Sequence, residues 1–129
     1  MQNYIILKKR IKKNEGFRSL PYLDQLGHLT IGYGHLIRGT EKKTLNKKKS
    51  KPFLLNLFEK DFNKSLNDYK KNYLKYNFSK TIEEIIIEMI FQLGIKKQKK
   101  FKKMITSLKR KEFYMASLEM MNSLWYKQT

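Results

Sequence analysis

The chain has no cysteine, only two prolines and only two histidines. Without cysteine, neither a disulfide framework nor a thiolate metal site can form. Two imidazoles, from His28 and His35, are too few for a structural zinc site, so we expect no metal and no cofactor. The short apolar run near the N-terminus precedes its lysines, which reverses the order of a signal peptide, and no run is long enough for a membrane span. We therefore expect synthesis in the cytoplasm without a signal peptide.

Acidic residues are also scarce: 11 Asp and Glu stand against 29 Lys and Arg, which gives a net charge of +18. This charge is either a lysine-rich solvated surface or an attraction to polyanions such as nucleic acid, anionic lipid or an acidic bacterial wall. We expect no specific nucleic-acid binding, because the chain has neither a basic helix with a dimer seam nor a strand of stacking aromatics. With 129 residues, of which 40% are hydrophobic, the chain is long enough for one domain with a core.

The first third of the chain changes from helical to alternating periodicity. Apolar spacing predicts a helix over residues 2–13, with stop signals on either side of Glu15. Alternation then predicts a hairpin, with strands at 17–22 and 28–33 and a turn between them. Residues 39–51 predict a surface loop that can hold a short third strand.

Helical periodicity returns after this loop. A long amphipathic helix is predicted from Pro52 to about Tyr76, and from it Asp61 could reach His35 in the sheet. A capping box at Thr81 predicts the start of a buried helix that ends at Gly94. Two shorter helices are predicted around residues 101–108 and 113–124, with Trp125 and Tyr126 closing the helical part. The fold class is α+β.

Two carboxylates and a hydroxyl lie where the first helix ends and the hairpin begins. Glu15 follows the helix, Asp24 lies in the turn, and Thr30 lies on the returning strand. A pair of carboxylates brought together by a short hairpin suits glycoside hydrolysis, in which one is a protonated acid and the other an ionised base. The helix dipole at Glu15 disfavours negative charge and so favours the acid form. Each residue alone would be an ordinary surface, turn or strand residue; their joint spacing predicts chemistry.

The pattern E-x8-D-x5-T, with T-I-G-Y-G-H around Thr30, resembles the phage-type lysozymes, which are muramidase endolysins. F-Q-L-G at 91–94 and W-Y-K-Q-T at 125–129 continue the resemblance in the same order. It implies a small antiparallel β lobe and a mainly helical lobe, joined by a long helix, with the active-site cleft between them. The chain would be a single domain, 1–129. Its β-rich lobe would be about 14–50, its connecting helix about 52–76, and its helical lobe about 80–129 together with helix 2–13.

The resemblance also implies the activity, which is hydrolysis of the β-1,4 bond between N-acetylmuramic acid and N-acetylglucosamine in bacterial peptidoglycan, with inversion. Glu15 would protonate the glycosidic oxygen, Asp24 would orient water or support the cationic transition state, and Thr30 would hydrogen-bond that water. Five residues would contact the sugar: Tyr22, Gly34, Leu36, Phe91 and Gln92. We expect a monomer that acts on the wall after release, with weak attraction to anionic wall or lipid surfaces.

Two departures from the family pattern leave alternatives open. Family members usually continue beyond the residue that matches Thr129, and Leu124 stands where an arginine is common. The first helix is therefore expected to be less covered, and a basic partner of the acid to be missing. The alternatives are a wall-binding relative with weak or no turnover, a basic nucleic-acid-binding protein, and a membrane-active basic helix. The lysines within residues 8–13 would permit some lipid contact by the third, but the large apolar faces are typical of a core. The intact catalytic set argues against the first, because drift in an inactive enzyme should have removed at least one member.

Overall fold

The computed structural model describes residues 4–110 and divides the chain into two compact units, residues 1–63 and 64–129. The helices and strands are α1 (Ile5–Glu15), β1 (Arg18–Leu23), β2 (Leu29–Gly32), β3 (His35–Leu36), α2 (Lys51–Tyr73), α3 (Lys80–Leu93), α4 (Ile95–Gln98) and α5 (Lys102–Lys109). Short 3₁₀ helices lie at Gly39–Lys43 and Leu74–Tyr76. Helices combined with a small antiparallel sheet confirm the predicted α+β class. The lobe boundaries and the cleft stay predictions.

Helix α1 packs its apolar face inside the first unit. Leu7 and Ile11, four residues apart and so on one face, are completely buried. Lys8 donates a 2.7 Å hydrogen bond from its Nζ to Oε1 of Glu59 on α2, which ties the two helices together at the surface. The helix extends two residues beyond the predicted end at residue 13. Its last residue is therefore the candidate acid itself.

The three strands form one antiparallel sheet in the order β1-β2-β3. Tyr22 pairs with Thr30, and Thr30 pairs with Leu36, so these side chains share one face of the sheet. Ile31 points to the other face, where it belongs to a buried cluster with Ile37, Leu45 and Leu54. The third strand precedes the loop in which it was predicted. In that loop, a 3₁₀ helix at 39–43 replaces the strand.

Aromatic rings fill the space between α1, the sheet and α2. Tyr33 contacts Phe17 in a tilted arrangement with 5.1 Å between ring centroids, and meets Phe58 edge-on at 5.7 Å. Phe62 continues the column at 6.3 Å from Phe58. The Nζ of Lys12 lies 4.9 Å from the centroid of Phe58. Aromatic faces thus receive cationic side chains in a protein that has few carboxylates.

The second unit is built on α3, which buries apolar residues on most of its circumference. Its N-cap is Ser79, whose hydroxyl accepts from the backbone N–H of Ile82, so the capping box predicted at Thr81 is wrong by two residues. Ile86 and Ile87 are fully buried. Another buried contact, a 2.8 Å hydrogen bond from the Tyr73 hydroxyl to Gln98 Oε1, ties the end of α2 to α4.

Some predictions fall outside the described residues. The helix predicted at 113–124 and the closure by Trp125 and Tyr126 are among them. Within residues 4–110, α5 matches the helix predicted around 101–108, and α2 gives way to a 3₁₀ helix three residues before the predicted end at Tyr76. Across residues 4–110, the helices are all too short or too polar to cross a membrane.

Candidate active site

The carboxyl group of Glu15 lies directly against the backbone of Gly34. A Cβ built on Gly34 would overlap Oε2 of Glu15 and would come within 2.9 Å of its Cδ. Gly34 has φ +82°, a backbone conformation that residues other than glycine rarely adopt. The turn between β2 and β3 therefore leaves space for this carboxyl group through the absence of a side chain. Lys12 and Lys13 lie in the last turn of α1, which ends at Glu15 and is capped by Gly16.

Asp24 is held by the hairpin turn that it begins. Its Oδ1 accepts hydrogen bonds from the backbone N–H groups of Leu26 (2.9 Å) and His28 (2.8 Å). Its backbone carbonyl accepts from the N–H of Gly27 at 3.0 Å. Its Oδ2 lies 3.7 Å from Nδ1 of His28. One carboxylate oxygen thus shapes the turn, while the other keeps acceptor capacity.

Thr30 is buried in the middle of the sheet, with 2% of its surface exposed. Its hydroxyl donates a 2.9 Å hydrogen bond to the backbone carbonyl of His28. The same carbonyl accepts the backbone N–H of Asp24 at 2.9 Å. Because the hydroxyl proton is committed to His28, the Thr30 oxygen can interact with a further water only as an acceptor.

The hydroxyl of Tyr22 has a raised pKa, and both carboxylates contribute to it. Burial raises the pKa of the Tyr22 hydroxyl above its usual value of 10.0, and the charges of Glu15 and Asp24 raise this pKa further. The guanidinium of Arg18, which lies 4.8 Å from the ring centroid, opposes them and lowers the pKa. The phenol of Tyr22 therefore lies within electrostatic range of both candidate catalytic carboxylates.

The first unit brings together six of the eight site residues predicted from the sequence: Glu15, Tyr22, Asp24, Thr30, Gly34 and Leu36. Leu36 is partly buried and pairs with Thr30 across the sheet. Phe91 and Gln92 belong to the second unit, on the last turn of α3, and both are partly buried. The roles of all eight residues stay predictions.

His28 was not predicted as part of the site, although its backbone connects Asp24 to Thr30. Its N–H and carbonyl bond the carboxylate of the first and the hydroxyl of the second. The available signal was the spacing of four residues between Asp24 and His28, which suits a tight hairpin turn.

A second polar cluster is centred on His35 in β3. His35 Nδ1 lies 2.8 Å from Oδ2 of Asp61, which confirms the predicted contact, and Nε2 lies 3.1 Å from Oε2 of Glu41. Burial alone would lower the pKa of His35, but the hydrogen bonds and charges of Asp61 and Glu41 outweigh burial and raise the pKa above 6.5. The second carboxylate was not predicted.

This cluster predicts that stability falls as pH rises. Because the pKa of His35 is higher in the folded than in the unfolded chain, its contribution is fully present below pH 6.5 and is lost as pH rises through the raised folded value. We expect the free energy of unfolding to decrease across that window in urea titrations. His35→Asn should remove this decrease. Glu59→Gln, at a surface ion pair on α2, the helix that also carries Asp61, should keep it. An unchanged pH dependence in His35→Asn would contradict the assignment.

Within the described part of the chain, no three His, Cys, Asp or Glu residues are grouped so as to hold a metal ion. The cluster at His35 is instead a hydrogen-bonded acid–imidazole–acid arrangement.

The sequence is similar to those of known proteins over most of its length. The sequence model of the phage lysozyme family matches residues 12–129. Two proteins of Dictyostelium discoideum, probable T4-type lysozyme 1 and probable T4-type lysozyme 2, are each 30% identical to the chain over an alignment of 146 residues. Each alignment covers 95% of this chain and 86% of the relative.

Proposed function

Because this chain belongs to the phage lysozyme family, we propose that it hydrolyses the β-1,4 bond between N-acetylmuramic acid and N-acetylglucosamine, with inversion. The family makes the chain a lysozyme-like glycosidase whose substrate is peptidoglycan. One observation carries the finer assignment. The carboxyl group of Glu15, at the end of α1, lies against the backbone of Gly34 in the turn that follows the strand of Thr30.

Glu15 is the proposed general acid. Its position as the last residue of α1 places it where the helix dipole disfavours the anion and so favours the protonated form. On bond cleavage, the carboxyl proton passes to the glycosidic oxygen, and the electron pair of the bond between that oxygen and C1 leaves with the oxygen. Proton transfer thereby makes the departing sugar a neutral alcohol.

Asp24 and Thr30 are the proposed acceptors for the attacking water. Oδ1 of Asp24 is occupied by the turn, so Oδ2 is the oxygen available to accept a proton. The hydroxyl of Thr30 donates to His28, so its oxygen accepts the other water hydrogen. With both hydrogens directed in this way, a lone pair of the water points at C1. The new C1–oxygen bond forms on the face opposite the leaving group, and one water proton passes to Asp24.

The register of the sheet supports a set of proposed contacts to the sugar. Tyr22, Thr30 and Leu36 form one row across three strands and present their side chains on one face. We propose that this row, with the backbone of Gly34, contacts the sugar rings. We propose that Phe91 and Gln92 of α3 complete the contacts to the glycan.

The test is to digest purified peptidoglycan and to identify both the new reducing sugar and its first-formed anomer. We expect N-acetylmuramic acid at the new reducing ends and the α-anomer first, since inversion of a β bond gives α. Mass spectrometry of reduced fragments identifies the sugar, and proton NMR during digestion identifies the anomer.

Three results would contradict the proposal. N-acetylglucosamine at the reducing ends would overturn the bond assignment, and an initial β-anomer would overturn inversion. Tight binding to the wall without any new reducing end would favour the alternative of an inactive wall-binding relative.

A further inference from the structure

The sheet carries a row of aliphatic side chains on the face opposite Thr30. Leu23 pairs with Leu29, and the N–H of Ile37 bonds the carbonyl of Leu29, so the three strands contribute one aliphatic row. Neighbouring positions on a strand point to opposite faces, so this row lies behind the row that contains Thr30. It lines an open groove of about 410 Å³ at the turn end of the sheet, and Leu36 of the Thr30 row also borders this groove.

The rim of this groove exposes more aliphatic surface than folding requires. Leu23 is 68% exposed, and Leu26, in the adjoining turn, is 57% exposed. Two large leucines are therefore exposed at one end of the same hairpin. Grouped exposed apolar side chains are typical of a place where something binds.

Two cationic side chains also border the groove. Arg38 and Lys42 both line the groove and are exposed. The nearby carboxylate of Glu41 accepts the backbone N–H of Arg38 and bonds His35. Because the side chains of Arg38 and Lys42 are exposed, their charges can reach an external anion.

We propose that this hairpin surface, made of Leu23, Leu26, Arg38 and Lys42, docks on a bilayer of anionic phospholipid. Such a bilayer presents phosphate groups above acyl chains, which matches the cationic side chains at the groove and the exposed leucines of the hairpin. Aliphatic side chains suit acyl chains better than sugars, which need hydrogen-bonding or aromatic partners. A second copy of the chain fits poorly, because each copy carries a net charge of +18 and repels the other.

The experiment compares two double variants that remove the same groups at different places. Leu26→Asn with Arg38→Gln changes the hairpin surface, and Leu74→Asn with Lys70→Gln changes an exposed leucine and an exposed lysine near the end of α2. Both lose one apolar side chain and one positive charge. Binding is measured by co-sedimentation with phosphatidylglycerol vesicles and with phosphatidylcholine vesicles, and thermal unfolding checks that each variant is folded.

We expect the wild type and the α2 variant to bind phosphatidylglycerol vesicles alike, and the hairpin variant to bind them at least about tenfold more weakly. Hydrolysis of lipid-free peptidoglycan should be the same in all three proteins, so this result does not depend on the proposed catalysis. Equal losses in both variants would overturn the proposal in favour of overall charge. The proposal would also be overturned if the wild type did not bind phosphatidylglycerol vesicles. The same holds if the hairpin variant lost binding to purified wall or self-association and not binding to vesicles.

Discussion

Glu15→Gln is expected to reduce the rate of peptidoglycan hydrolysis by about 100- to 10,000-fold, the usual contribution of a general acid. Glutamine keeps the size of the side chain and its contact with Gly34, but it has no proton to transfer. The measurement is the initial rate of release of reducing sugar from purified wall, with turbidity loss of permeabilised Gram-negative cells as a second readout. The melting temperature should change little.

The control for this variant is Glu59→Gln. It removes the same charge from the same unit, at an exposed side chain that pairs with Lys8, and it should leave the rate of hydrolysis within about twofold of wild type. A comparable loss in both variants would mean that charge, and not proton transfer, limits the reaction. Equal clearing of cells by wild type and Glu15→Gln would assign lysis to membrane damage.

Gly34→Ala is expected to reduce hydrolysis by about 100-fold, because a displacement of about 1 Å at a catalytic group has effects of that size. The new methyl group would occupy the position of Oε2 of Glu15 and force the carboxyl group away. An alanine at φ +82° also costs about 1–2 kcal/mol of folding stability. Kinetics on purified wall and urea unfolding separate these two effects.

Gly94→Ala provides the matched control. Gly94 has the same φ of +82°, but nothing lies within 4 Å of the position where its Cβ would be. It should therefore lose the same stability while keeping most of the activity. If the two alanine variants lose activity equally, the contact between Gly34 and Glu15 has no catalytic role.

Local periodicity was sufficient to predict the elements that carry the candidate catalytic residues. Alternation placed Asp24 in a turn and Thr30 on the strand that follows, and apolar spacing ended the first helix within two residues of Glu15. These features depend on neighbours in the sequence, so a single chain contains the information. The order of the three residues also carried the family resemblance that the comparisons confirm.

Features that depend on contacts distant in the sequence were predicted less well. The third strand was expected in the loop at 39–51, but β3 forms earlier because His35 pairs with Ile31 and bonds Asp61. Glu41 was missed for the same reason, since its partnership with His35 is decided only when the 3₁₀ helix packs against the sheet. The cap of α3 was misplaced because Ser79 and Thr81 are both acceptable cap residues.

The hydrogen bonds of the hairpin change how distant relatives should be judged. Asp24 ties down two N–H groups of its own turn, and Thr30 bonds the carbonyl that Asp24 also uses. Natural selection for a well-formed hairpin would preserve both residues even in a lineage whose proteins no longer hydrolyse peptidoglycan. Glu15 lies outside that turn, as the last residue of α1, and its proposed role is to supply the proton. In a distant relative, the presence of a glutamate at the position of Glu15 is therefore the better indicator of catalytic activity. Retention of Asp24 and Thr30 alone indicates only common descent.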